Sequence, residues 1–84
     1  MSSGQIDEVC RHVARSIEKL RSKRQMSMTE VAKRAGLSRT MVRFVERGIR
    51  NPTLATLLRL AHAFEIDVCE IIKKAQAEAK NTDK

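Results

Sequence analysis

Apolar residues return along this chain at helical rather than strand spacing. Ile6, Val9, Cys10, Val13, Ile17 and Leu20 recur at three- and four-residue intervals. That pattern lines one side of a helix and predicts an amphipathic element over about residues 5–24. Val31, Ala32 and Ala35 form a shorter stripe over 28–35, and Met41, Val42 and Val45, bordered by Glu46, another over about 39–47. Leu54, Leu57, Leu58, Ala61 and Phe64 mark a fourth helix near 54–64; Val68, Ile71, Ile72 and Ala75 mark a fifth. No stretch alternates apolar and polar residues as a half-buried strand does.

Polar punctuation falls where these helices need ends. In "SMTE", Ser27 and Glu30 have the spacing of a capping box, in which the hydroxyl accepts from the Glu30 amide and the carboxylate reaches back. Gly36 can end the second helix in the left-handed conformation. Ser38 is a natural N-cap for the third helix, which Gly48 can end. Pro52 biases Asn51 away from helical geometry, Thr53 can cap the fourth helix, and Asp67 and Glu70 repeat the capping spacing. The expected fold is all-α: five short helices in one domain over 5–76, with residues 1–4 ("MSSG") and 77–84 (ending "NTDK") as disordered tails.

Composition narrows the class. The 84 residues are 42% hydrophobic and 32% charged, with three Gly and one Pro, values of a globular chain large enough for one modest core. No apolar run approaches the roughly 18 residues of a membrane span, and the N-terminus lacks the basic-then-apolar order of a signal peptide. A cytoplasmic protein is expected. Cys10 and Cys69 have no metal-ligand spacing; buried free thiols are the simplest reading, with a disulfide or a metal site as alternatives. His12 and His62 read as structural or surface histidines. No cofactor, metal or small-molecule ligand is expected.

The net charge of +7 matters through its distribution. Residues 11–50 hold twelve Lys and Arg against Glu18, Glu30 and Glu46, whereas residues 51–84 carry five of each sign. A basic middle beside a neutral remainder points to a face for a polyanion, the alternative being a surface that only aids solubility. Arg39, Arg43 and Arg47 stand at i, i+4 and i+8 on the third helix, opposite Val42 and Val45. Like charges at that spacing cost an isolated helix roughly 0.2–0.5 kcal/mol per pair. The row makes sense if phosphates or guanine edges complete it.

"MTEVAKRAGLSRTMVRFVE", residues 28–46, resembles the helix-turn-helix of the lambda-repressor and Cro-like (XRE) regulators. The flanking "LRSKRQMS" and "ERGIRNPTLATLLRLAHAFEI" extend the resemblance over about residues 13–72. It implies a five-helix lambda-repressor-like fold whose third helix is a recognition helix laid in the major groove of double-stranded DNA. Arg39, Thr40 and Arg43 would then read base edges, arginine through guanine O6 and N7 and threonine through thymine methyls. Phe44 is a further base-reading candidate; packing against Met41 or contacting another protein are its alternatives. Phosphates would be met at the amide end of the second helix (Ser27, Met28, Thr29) and after the third (Arg47, Arg50, Asn51), with Arg24 and Lys33 weaker candidates. Arg21 and Glu46 match a family ion pair joining the first and third helices. Three positions depart from the family: Met28 replaces a common glutamine, Gln25 a common glycine, and Phe44 a polar or basic residue.

The resemblance also implies a transcriptional regulator acting as a homodimer on a (pseudo)palindromic operator, repressing or recruiting RNA polymerase. Leu60, Val68, Ile71 and Ile72 are the candidate dimer surface; the alternative is that all four close the core of one chain. Stand-alone units of this size are similar to restriction–modification controller proteins, prophage repressors and DNA-binding antitoxins. A protein-interaction module on the same scaffold remains open. RNA binding is disfavoured by the absence of Tyr and Trp. No catalytic cluster is present in the sequence, so an enzyme is not expected.

Overall fold

The computed structural model describes residues 1–82. Its helices are α1 (Ser3–Lys23), α2 (Met28–Ala35), α3 (Arg39–Glu46), α4 (Leu54–Ala63) and α5 (Val68–Thr82). Among the described residues all regular structure is helical. α1 lies along α5 and touches α3, while α2 packs against α3 on one side and α4 on the other. Ile17, Val31, Val42, Val45, Leu60 and Phe64 are fully enclosed where these helices meet.

Four of the helices end in one way. The chain enters the left-handed region at Gln25 (φ 56°), Gly36 (69°), Gly48 (70°) and Glu65 (58°). At each, two amides fold back onto the last turn: Met26 onto Arg21, Leu37 onto Ala32, Ile49 onto Phe44 and Ile66 onto Ala61, with Gln25, Gly36, Gly48 and Glu65 bonding Ser22, Lys33, Val45 and His62. This is the Schellman arrangement, which satisfies carbonyls that a helix end would otherwise leave unpaired. Gln25 therefore closes α1 much as glycine closes α2.

Both ends of the chain differ from the expected tails. α1 begins at Ser3 because Ser2 caps it: its hydroxyl accepts from the Gln5 backbone amide (3.2 Å), and the Gln5 side-chain Oε1 accepts from the Ser2 backbone amide (2.7 Å). Residues 77–82 continue α5 instead of forming a tail. Ala75 and Ala79, one turn apart, are both buried, and small residues at that spacing let α5 lie close to α1. Asp83 and Lys84, the last two residues of the expected tail, lie outside the described residues. At Ser27 half of the capping box forms. The hydroxyl accepts from the Glu30 amide at 3.1 Å, but the Glu30 carboxylate turns to Arg34 at 2.8 Å.

The buried stripe of α4 is also shifted. Leu57, Leu60, Ala61 and Phe64 face inward, whereas Leu54 and Leu58 are 67% and 48% exposed. At 100° per residue, Leu54 and Leu58 lie to one side of the arc that Leu57, Leu60, Ala61 and Phe64 share. The cysteines are free but not buried: Cys10 is half-buried and Cys69 exposed, the latter one residue off the inward face of α5. His62 is exposed. His12 is buried and joins the two long helices, its Nδ1 3.2 Å from Glu78 and its Nε2 3.4 Å from Glu8. Glu8 also binds Arg11, a hydrogen bond that holds its carboxyl below the ordinary value.

Candidate nucleic-acid interface

α3 owes its orientation to its two valines. Val42 and Val45 are completely enclosed, and Ser38 fixes where the helix begins, its hydroxyl accepting from the Met41 amide at 3.0 Å. With that side buried, Arg39, Thr40, Arg43 and Arg47 stand exposed on the other.

The electrostatics of this face follow from one carboxylate that is withdrawn from it. Glu46 is the single acid of α3, and its side chain is 1% exposed. Arg21 of α1 holds it with two bonds, Nε to Oε2 at 2.6 Å and Nη2 to Oε1 at 3.0 Å, while Nη1 donates to the Met26 carbonyl at 3.2 Å. The hydrogen bond to Glu46 raises the Arg21 pKa above its ordinary value, against desolvation. Arg39, Arg43, Arg47 and Arg50 form no ion pair with any carboxylate among the described residues. The outer side of α3 is thus uniformly cationic and its donors are open to an acceptor.

The flanking candidates separate by position. Thr29 and Asn51 are exposed, and Met28 is half-buried with its side chain packed against the core. Only the backbone of Met28 is therefore placed to meet an anion. The hydroxyl of Ser27 accepts from the Glu30 amide, while the amides of Met28 and Thr29 at the start of α2 have no intrahelical partners. Lys33 is exposed. Arg24, a weaker phosphate candidate, donates through Nη1 to the carbonyl of Phe64 and so ties α1 to the end of α4.

Of the candidate pairing residues, Leu60 and Ile71 are corrected. They are 0% and 2% exposed within one chain, because they lie on the inward arcs of α4 and α5. Val68 and Ile72 are half-buried. The exposed apolar positions on α4 are Leu54 and Leu58, both members of the apolar set that marks this helix in the sequence.

Two features of this region escaped the sequence. Arg59 of α4 reaches the turn between α2 and α3, so close that a Cβ built on Gly36 would lie 2.9 Å from its Nη1. The guanidinium of Arg50 lies over the ring of Phe44, 5.9 Å from its centre. Neither pair is signalled by spacing within one helix, since both depend on how the chain turns between helices.

Two short helices joined by a left-handed turn, the second with a charged outer side, define a helix-turn-helix domain. The helix-turn-helix family model matches residues 17–71, and the chain belongs to this family, among its XRE-like regulators. It is 35% identical over 60 residues to an uncharacterised HTH-type transcriptional regulator of Sinorhizobium fredii, y4dJ, covering 71% of this chain and 78% of that protein. It is 36% identical over 72 residues to the immunity repressor protein of Bacillus phage phi105, covering 79% of this chain and 50% of the repressor. A second S. fredii regulator, y4dL, is 27% identical over 70 residues, covering 83% of this chain. The chain thus spans half the length of the phage repressor and 36% of that of y4dL.

Proposed function

We propose that this chain is a sequence-specific double-stranded DNA-binding transcriptional regulator that acts in the cytoplasm as a dimer on a (pseudo)palindromic operator. The observation that carries this reading is the outer side of α3, where Arg39, Thr40 and Arg43 are exposed while the only acid of the helix is sealed inside. Arg39 and Thr40 open the helix and would enter the major groove first; Arg43 follows one turn on. The first amides of α2 and the residues Arg47, Arg50 and Asn51 would meet phosphates on either side and set the register.

One such helix reads too few base pairs for an address in a genome. Two copies related by a two-fold axis would present two recognition helices about 34–36 Å apart, one turn of duplex. The apolar residues that α4 and α5 offer for that pairing are the exposed Leu54 and Leu58 together with the half-buried Val68 and Ile72. Occupancy of the operator would then block or recruit RNA polymerase.

Enrichment of duplexes from a random pool, followed by titration of the winners at stepped salt, tests the proposal. Recovery of a two-fold motif is expected, with affinity falling about 0.9 log units per log unit of salt for each phosphate neutralised. A pool that never enriches, or binding indifferent to salt, would overturn it.

A further inference from the structure

The end of α3 places one of the exposed arginines. The amide of Ile49 donates to the carbonyl of Phe44 at 2.9 Å, and the amide of Arg50 reaches the same oxygen at 3.3 Å. With Gly48 in the left-handed conformation, the chain turns back along the helix. The Arg50 guanidinium is thereby brought to 5.9 Å from the centre of the Phe44 ring, inside the roughly 6 Å over which a ring face attracts a cation. Phe44 is half-buried, whereas Arg50 is exposed and has no carboxylate partner among the described residues. A long side chain in a loop loses rotamer freedom when it is immobilised by a ligand. A ring beneath the guanidinium removes part of that loss beforehand and leaves its N–H donors available.

We infer that Phe44 is a positioning residue that presets Arg50 for a DNA phosphate, and that its ring does not read a base. This rests on the DNA-binding reading above. A phosphate contact carries no sequence information, so loss of Phe44 should weaken all DNA alike, whereas a ring against thymine methyls would show as a sequence preference.

The test uses the full chain, a duplex enriched by it from a random pool, and a scrambled duplex of equal length. Phe44→Leu should weaken binding to both by the same factor, roughly 2–5-fold, the range of an exposed cation–π contact. Arg50→Ala should weaken both further, and the double variant should bind no worse than Arg50→Ala alone. Phe44→Tyr, which keeps the ring, should restore most of the affinity that Phe44→Leu loses. In the free wild-type protein, NMR should show the Arg50 side-chain protons shifted upfield by the ring relative to those of Arg39 and Arg43. This readout requires no variant to fold. Additive losses in the double variant, a Phe44→Leu loss confined to the enriched duplex, or unshifted Arg50 protons would each overturn the inference while leaving the DNA reading intact. A wild-type chain that binds neither duplex overturns both.

Discussion

The carboxylate of Glu46 is 1% exposed between two nitrogens of Arg21, and removal of either partner strands the other. Breaking a buried pair from one side is far more costly than replacing both members by apolar ones. Arg21→Met should therefore destabilise the fold by about 3 kcal/mol, the low end of the range because Arg21 keeps 19% exposure. Arg21→Met/Glu46→Met should recover most of that loss. Urea unfolding reads both, and wild-type stability in the single variant would show the pair to be idle. On the outer side the proposed function divides the arginines by task. Arg39→Ala should weaken binding to the enriched operator by roughly 1–3 kcal/mol and relax the preference at one base pair. Arg50→Ala should weaken all sequences alike and reduce the salt slope by about 1. Equal losses for both variants on specific and random duplexes would contradict the division.

At the scale of the elements, the common closure of α1, α2, α3 and α4 sets up a comparison within one molecule. Left-handed backbone costs an L-residue roughly 1–2 kcal/mol, a strain that Gln25 and Glu65 carry and that Gly36 and Gly48 avoid. Gln25→Gly and Glu65→Gly should each stabilise by about 0.5–1 kcal/mol, the relief being partly offset by the extra freedom of glycine in the unfolded chain. Gly48→Ala should destabilise by about 1 kcal/mol through its backbone alone, since an added Cβ there meets nothing within 4 Å. Thermal or urea unfolding of the three variants gives the sign directly, and a destabilised Gln25→Gly would contradict the strain assignment. The same closures explain what was legible beforehand. Residues 28–46 could be read closely because Ser27, Gly36 and Ser38 are strong local signals with one geometric meaning each. The start of α1 could not be read from its apolar stripe, because its cap is a polar Ser2–Gln5 pair lying before the first apolar residue. The extent of α5 was hidden because Ala79 buries little surface of its own. Phe44 under Arg50 was invisible in principle, as it depends on a chain reversal rather than on a period.

The whole molecule divides into a cationic side built from α3 and its flanks and an apolar edge on α4. Leu60, a candidate for the pairing surface, lies in the core of one chain. The two roles are separable by substitution. Leu60→Ala should cost about 2–5 kcal/mol of folding stability as a buried leucine does. Leu58→Glu, on a side chain 48% exposed, should leave the unfolding midpoint of the monomer nearly unchanged. It should also shift sedimentation from dimer to monomer and lower operator affinity. A Leu58→Glu chain that remains dimeric and binds normally would move the pairing surface elsewhere. Above all stands the proposed placement of α3 in the major groove with Arg39 and Arg43 on guanine edges. Methylation interference on the enriched duplex tests this most directly, because it reports guanine N7 in the major groove and adenine N3 in the minor groove separately. Interference at guanine N7 in two clusters about one helical turn apart is expected; interference confined to adenine N3, or none at any base, would contradict the account.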